Sequence, residues 1–480
     1  MDELEIRNSI INNINNSYPL INNNLKHDYK YLKERTIYFE LKEYIDKFID
    51  SCNPNRSFII PGIRGVGKTT LLYQLYKYLY EIKNIQENRI LFLDLNRLKH
   101  RPDFNLLDYL DVFIKDINEE HYLTSTQLFV LIDETQYAKN WDIAAKTMYD
   151  ENSNVFIVFT GSNALNLEST ADTLRRSIKK QMYPLTFSEY TELNYNINMP
   201  YKFTDIIYDV LQTGDVEELE KIEKQLHLNE YKVLKHNIKK EFEYYLEYGD
   251  LPVTILKNKI DSIQTTLEVS DKIVETDMDL ISSIKSETRL KAYELISLLA
   301  TEKPGEIALN KIANNIQTST KTIENLLEIL RKTELIFPIE IYGSPSKKSR
   351  TPTKYYFLST QSKAAFFLSE GDLSRDTRQS LGILAENMVA STLHRIKETK
   401  KNKTGVYYDA RRGGVDFIIT TKNGNVVPIE VGIGKKNKKQ IIQAINYYKS
   451  EYGIVISNRT DFITKEDNII FIPLSTFSLA

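Results

Sequence analysis

FIIPGIRGVGKTTLL, Phe58 to Leu72, decides how the chain folds. Within it GIRGVGKT, Gly62 to Thr69, fits the phosphate-loop pattern G-x-x-x-x-G-K-[ST] without a mismatch. The spacing has a chemical reason. Gly62, Gly65 and Gly67 let the backbone close round phosphate oxygens where a side chain would collide. With Ile63, Arg64 and Val66 they turn successive N–H groups towards the anion. Phe58-Ile59-Ile60 reads as a short buried strand before the loop. From Thr69 onward, Leu72, Leu75, Tyr76 and Leu79 share one helical face, so a helix N-terminus adds its positive end. Lys68 is expected on the β- and γ-phosphates of ATP, Thr69 on Mg²⁺, and Thr70 beside them. The competing reading is a Gly-rich turn that binds nothing; strand before and helix after speak against it.

A second stretch supports the first. LFVLIDE, Leu128 to Glu134, is an apolar run that ends in two acids, as a buried parallel strand does. Asp133 at its end is expected to hold Mg²⁺, and Glu134 to polarise the attacking water. ILFLDL, Ile90 to Leu95, and VFIVFTGSN, Val155 to Asn163, are further strands, with helical patterns at Leu106–Ile117 and Trp141–Tyr149 between them. The alternation predicts an α/β fold with a parallel sheet covered on both faces. At the end of the Val155 strand, Thr160, Ser162 or Asn163 is placed to sense the γ-phosphate or to hold the strand-end turn.

The order of motifs is specific. GIRGVGKT, LFVLIDETQYAKNW with Trp141, VFTGSNA, LRRS and YPLTFSEY follow one another. In this the chain resembles bacterial and archaeal AAA-type P-loop ATPases that carry a winged helix and a C-terminal nuclease-like domain of unknown role. The resemblance runs from about Tyr38 to the C-terminus. It implies ATP hydrolysis with Mg²⁺. The family pattern places Leu-x-Gly-Arg before Pro-Leu-Ser/Thr-Phe. Here Leu174-Arg175-Arg176 precedes Pro184-Leu185-Thr186-Phe187, so Arg176 matches the Arg and the Gly is lost. Arg176 is either a finger on a neighbouring subunit's nucleotide, which implies a homo-oligomer, or a surface Arg.

Beyond the core, residues 187–285 carry charged helical patterns and read as a helical lid. YLEYGDLP, Tyr245 to Pro252, is similar to the family's Gly-Gly-Phe-Pro turn and reads as structural. Residues 286–358 give three short helical patterns, then LIFPIEIYG and KYYFLS as a hairpin round SPSKKSRTPT, the make-up of a winged helix. Lys321, Lys332, Lys347, Lys348, Arg350 and Lys354 would supply contacts to duplex DNA; the alternative is a winged helix used for packing. From Thr377 a helix bearing Glu386 precedes strands VYYDARRGGVDFII and VVPIEVGIG. Glu386, Asp416 and Glu430 are candidates for a second metal site. The order resembles the PD-(D/E)XK nuclease fold, yet Gly432 stands where that pattern has Lys. The expected domain is therefore a scaffold that does not cut, unless Lys435 or Lys436 substitutes.

The expected boundaries are 1–35 for an N-terminal segment, read as a surface helix capping the core in preference to a fraying helix or a partner-binding arm, 36–186 for the P-loop core, 187–285 for the lid, 286–358 for the winged helix and 377–480 for the nuclease-like domain. Composition narrows the rest. The chain has 480 residues and a net charge of −2, so nucleic-acid contact has to come from local patches. One cysteine excludes an internal disulfide, and six scattered histidines leave no zinc spacing. No apolar run reaches membrane-spanning length and Met1-Asp2-Glu3 opens a segment unlike a signal peptide, so the cytoplasm is the expected location and no membrane partner is expected. Two outputs fit: a DNA-directed ATPase of defence or mobile-element type, or a nucleotide-gated interaction protein that regulates a protein partner without binding DNA.

Overall fold

The computed structural model describes residues 2–27, 30–51, 53–98, 101, 104–117, 126–162, 171–282, 285–303, 308–369, 377–400, 404–434 and 438–480. It divides into two compact units, residues 1–183 and 184–480.

The first unit is built on a five-stranded parallel sheet: β1 (Ser57–Pro61), β2 (Ile90–Asp94), β3 (Leu128–Asp133), β4 (Val155–Gly161) and β5 (Ile178–Lys179), in the spatial order β2-β3-β4-β1-β5. β1, β3 and β4 are buried at every residue, which is why they read as unbroken apolar runs. Alternate residues serve opposite faces. Leu91, Leu93, Val130, Ile132, Ile157 and Phe159 join a core with the helices Leu106–Val112 and Trp141–Glu151. Phe129 and Phe156 of the other face take Phe48 of helix Thr36–Ser51 between ring centroids 5.9 and 5.5 Å away. The N-terminal segment is a helix, Glu3–Asn24, capped by Asp2 in a capping box with Glu5. Its Ile6, Ile10 and Ile14, one turn apart, enter the first of those cores, so the helix covers the sheet.

The second unit gathers what reads in sequence as lid, three-helix element and C-terminal domain. Three helices, Ser286–Thr301, Leu309–Asn315 and Thr320–Lys332, precede an antiparallel hairpin of β6 (Ile336–Ile339) and β7 (Lys354–Phe357), with Ile336 opposite Phe357. The last of these helices is capped by Ser319 and buries Ile323, Leu326, Leu327 and Leu330. A six-stranded mixed sheet follows: β8 (Gly405–Tyr408), β9 (Phe417–Thr420), β10 (Val426–Gly432), β11 (Gly453–Ser457), β12 (Thr464–Glu466) and β13 (Ile469–Ile472), in the order β8-β9-β10-β11-β13-β12.

The stretch 187–285 does not stand by itself. Buried Glu223 of helix Glu217–Leu228 accepts the Ile463 N–H at 2.6 Å and the Thr476 hydroxyl. Gln212 donates to the Thr404 hydroxyl at 2.8 Å and accepts the Lys422 N–H at 2.8 Å. The Phe187 N–H donates to the Ser478 carbonyl at 2.8 Å. In YLEYGDLP, Asp250 is a staple: it accepts the Ser359 hydroxyl at 2.7 Å and the Thr360 N–H at 2.6 Å, at the start of helix Thr360–Ser369. Because these groups are buried, removing one partner strands the other. Residues 377–480 expressed alone are therefore expected to melt without a cooperative transition, whereas 184–480 melts cooperatively; circular dichroism on the two fragments tests this, and a sharp transition for 377–480 contradicts it.

Candidate nucleotide site

The loop after β1 takes its shape from local chemistry. Gly65 and Gly67 hold φ of 83° and 93°, a region that costs other residues a clash at Cβ. A Cβ on Gly62 would stand 2.6 Å from the Met182 carbonyl oxygen. Helix Lys68–Lys77 starts directly after Gly67. Lys68 is 6% exposed, and its ammonium donates to the carbonyls of Gly62 at 2.8 Å and Ile63 at 3.0 Å, so it lies curled within the loop. Ile63 and Val66 are buried, Thr70 is half-buried, and Arg64 donates to the Tyr137 hydroxyl at 3.3 Å.

The two predicted Mg²⁺ ligands meet. The Thr69 hydroxyl donates to one oxygen of Asp133 at 2.6 Å. Thr160 donates to the other oxygen, also at 2.6 Å. Burial, and next the neighbouring Glu134, push the Asp133 carboxyl up to about 6; the hydrogen bonds from Thr160 and Thr69 and the charge of Lys68 act the other way. A hydroxyl and a carboxylate are hard oxygen donors of the type Mg²⁺ takes, and a cation there would offset the cost of the buried charge. Glu134 follows at once with φ 54° and ψ 44°, and its carboxylate accepts from the side-chain amide of Gln136. Of the strand-end candidates, Thr160 is spent on Asp133. Ser162 is 3% exposed, and its hydroxyl has no partner among the described residues. Asn163 lies outside the described residues.

Arg176 is elsewhere. It donates to Asp150 at 2.6 Å and holds that carboxyl below its usual range. β5 begins two residues later and pairs Ile178 with Phe58, near the start of β1, whereas the phosphate loop leaves the far end of that strand after Pro61. About 10 Å of strand, at some 3.3 Å per residue, thus separates Arg176 from its own chain's loop.

The three acids proposed for a second metal site lie in the second unit. Glu386 accepts the Tyr356 hydroxyl at 2.8 Å, and burial followed by nearby Asp416 raises its pKa. Asp416 accepts the Val431 N–H at 2.7 Å, and Glu430 is buried within β10. Among the described residues no group of three His, Cys, Asp or Glu side chains is arranged to hold a metal ion. Of the basic residues, Lys348 pairs with Glu340 at 2.9 Å and lies over the Tyr407 ring, Lys332 pairs with Glu328 at 3.7 Å, and Lys354 lies over the Tyr408 ring; Lys321, Lys347 and Arg350 are exposed.

Two residues escaped sequence reasoning. Arg35 donates to the Val66 carbonyl at 2.8 Å and to the Tyr183 carbonyl at 3.0 Å, bracing the phosphate loop from behind. It has no local motif; only the fold brings it there, with Gln74 fixing the carbonyls of Leu32 and Lys33. Gln136 has a faint signal, a polar residue two places beyond the strand-end acids.

Fold, loop and paired Thr69–Asp133 define a P-loop ATPase domain of the AAA type, and residues 54–191 match an AAA domain. Residues 239–360 match a domain of unknown function (DUF8612) and residues 381–477 another (DUF4143). The chain is 33% identical over 451 residues to the uncharacterized protein MJ1637 of Methanocaldococcus jannaschii, across 93% of this chain and 89% of that one, and it belongs to the same family. A second protein of that archaeon, MJ1544, is 24% identical over 420 residues, 84% of this chain and 81% of that one. Among solved structures, a Walker-type ATPase of Pyrococcus abyssi aligns with a TM-score of 0.38 at 15% identity, over 72% of this chain and 97% of that one. The Aeropyrum pernix ORC1 protein in complex with DNA aligns with a TM-score of 0.32 at 10% identity, over 73% and 96%. Among the described residues no helix is long and apolar enough to cross a membrane.

The buried acid makes a prediction about stability. Asp133 binds a proton in the folded chain up to about pH 6, above its ordinary 3.8. Folding is therefore penalised increasingly as pH rises from about 4 to 6, and fully above that, by roughly 2–3 kcal/mol. Without nucleotide or metal, Asp133→Asn is expected to melt higher than the natural chain at pH 8, with the advantage fading by pH 5. Calorimetry at the two pH values checks this; a lower melting point at pH 8 contradicts it.

Proposed function

We propose that this chain binds and hydrolyses ATP with Mg²⁺ at the loop Gly62–Thr70, and that the turnover switches its interaction with a macromolecular partner. The observation that carries the reading is the 2.6 Å contact of the Thr69 hydroxyl with Asp133, beside a lysine already folded into the phosphate loop. Lys68 would exchange its bonds to loop carbonyls for the β- and γ-phosphates. Thr69 and Asp133 would hold Mg²⁺, which supplies charge neutralisation at the phosphate oxygens when bound. Glu134 would orient and deprotonate the attacking water, and the Ser162 hydroxyl would sense the γ-phosphate. Arg176, remote from its own loop, would act on the nucleotide of a neighbouring copy, which makes the working state an oligomer.

For the output, the three helices and hairpin at 286–357 read as a winged helix, with Lys321, Lys347 and Arg350 offered to duplex DNA. The internal engagement of Lys332, Lys348 and Lys354 favours a second reading, in which this element packs and nucleotide gates a protein contact. A salt-sensitive gel shift lost in Lys347→Ala/Arg350→Ala selects the first; no shift at low salt selects the second. The C-terminal sheet is a nuclease-like scaffold that does not cut. Gly432 brings no cation, and Glu386 and Asp416 are committed to Tyr356 and Val431.

Three measurements test the proposal. Lys68→Ala is expected to abolish tight ATP binding, and Glu134→Gln to keep binding while slowing turnover by about tenfold to a thousandfold; wild-type turnover in Glu134→Gln removes Glu134 from its role. Mixing Arg176→Ala with Lys68→Ala chains should restore part of the activity that each lacks, since a mixed assembly holds one intact loop facing one intact Arg. No recovery at any ratio, with mixing shown by cross-linking, contradicts action in trans. The full chain with Mg²⁺ should leave linear duplex DNA uncut, and cleavage that disappears in Asp416→Ala overturns the scaffold reading.

A further inference from the structure

The structure assigns to Gln136 the task of positioning Glu134, a role that rests on the reading of Glu134 as the residue that activates water. Gln136 lies on the short turn Thr135–Tyr137 directly after β3 and is 4% exposed. Its amide is used at both ends. The NH₂ group donates to the Glu134 carboxylate, and the carbonyl oxygen accepts the backbone N–H of Ser162 at 3.1 Å. The orientation follows from chemistry, because a carboxylate only accepts and a backbone N–H only donates.

What the bridge connects gives it meaning. Ser162 is the first residue beyond β4, and β4 pairs with β1 so that Gly161 stands opposite Pro61, the last residue before the phosphate loop. Gln136 therefore ties the carboxylate at the tip of β3 to the strand tip beside that loop. Glu134 cannot take its direction from a regular strand, because its backbone turns left-handed at φ 54°. Such a backbone leaves the carboxylate's place to be set by whatever grips it, and the Gln136 amide does so. A shift of the β4 tip would pass through one amide to the carboxylate. Displacing a reacting group by about 1 Å costs on the order of a hundredfold in rate.

The test uses the full chain with Mg²⁺-ATP. Gln136→Met keeps length and volume and removes both hydrogen bonds. Gln136→Glu keeps an acceptor for Ser162 but sets a like charge against Glu134. Both are expected to lower kcat by about tenfold to a hundredfold while the Kd of a fluorescent ATP analogue stays within about threefold, a split that loss of fold would not give. Combined with Glu134→Gln, either substitution should add no further loss, since Gln136 acts through Glu134. Turnover at the natural rate in both Gln136 variants overturns the assignment, as does a double variant whose losses multiply. Should Gln136→Met fail to fold, Gln136→Glu decides alone. Glu134→Gln measured in parallel separates the two layers. If it turns over normally, the role of Glu134 itself fails; if it is slow while the Gln136 variants are not, only the positioning role fails.

Discussion

Asp133 sits at the end of a fully buried strand with one hydroxyl on each of its oxygens, Thr69 from the phosphate-loop helix and Thr160 from β4. A carboxylate in such surroundings loses most of its hydration, so it persists there only because both oxygens are bonded and a cation is close. The arrangement needs three elements to end at one place: β3 with the acid, helix Lys68–Lys77 with Thr69, and β4 with Thr160. The strand order β2-β3-β4-β1-β5 supplies this, because β4 lies between β3 and β1 and brings their C-terminal ends to one edge. The same edge receives Glu134, Gln136 and Ser162. The site is thus a consequence of sheet order, with the cost of one buried charge carried by the fold.

The loop is also held from outside the motif. The helix Glu3–Asn24 buries Ile6, Ile10 and Ile14 on one face of the sheet, and Gln74 pins the carbonyls of Leu32 and Lys33. The chain then delivers Arg35 to the Val66 carbonyl, inside the phosphate loop. A charged donor on a loop carbonyl fixes the loop's curvature without using any of the N–H groups that phosphate requires. The N-terminal segment is in this sense part of the site.

In the second unit buried polar groups tie together elements that also share apolar cores. Glu223, Gln212 and Asp250 each join sequence-distant backbone at buried positions. Such bonds contribute modest net free energy but are costly to break singly, so they specify one arrangement of helices on sheet. These bonds join the stretch that reads as a helical lid to the C-terminal part of the chain.

The sequence by itself determined the phosphate loop, the acids at the end of β3, the alternation of strand and helix, and the helix–hairpin succession at 286–357. Each is local: a spacing of glycines, an apolar run, a period of 3.6 or a turn cluster carries the physics within a few residues. β5, two residues long and half polar, was invisible because an edge strand of that size has no pattern to show. Only the tertiary structure decided that Thr160 serves Asp133, that Arg35 braces the loop, and that Gln136 bridges two strand tips. Those assignments depend on which strand lies beside which, and burial makes hydrogen bonds decisive only once the neighbours are in place.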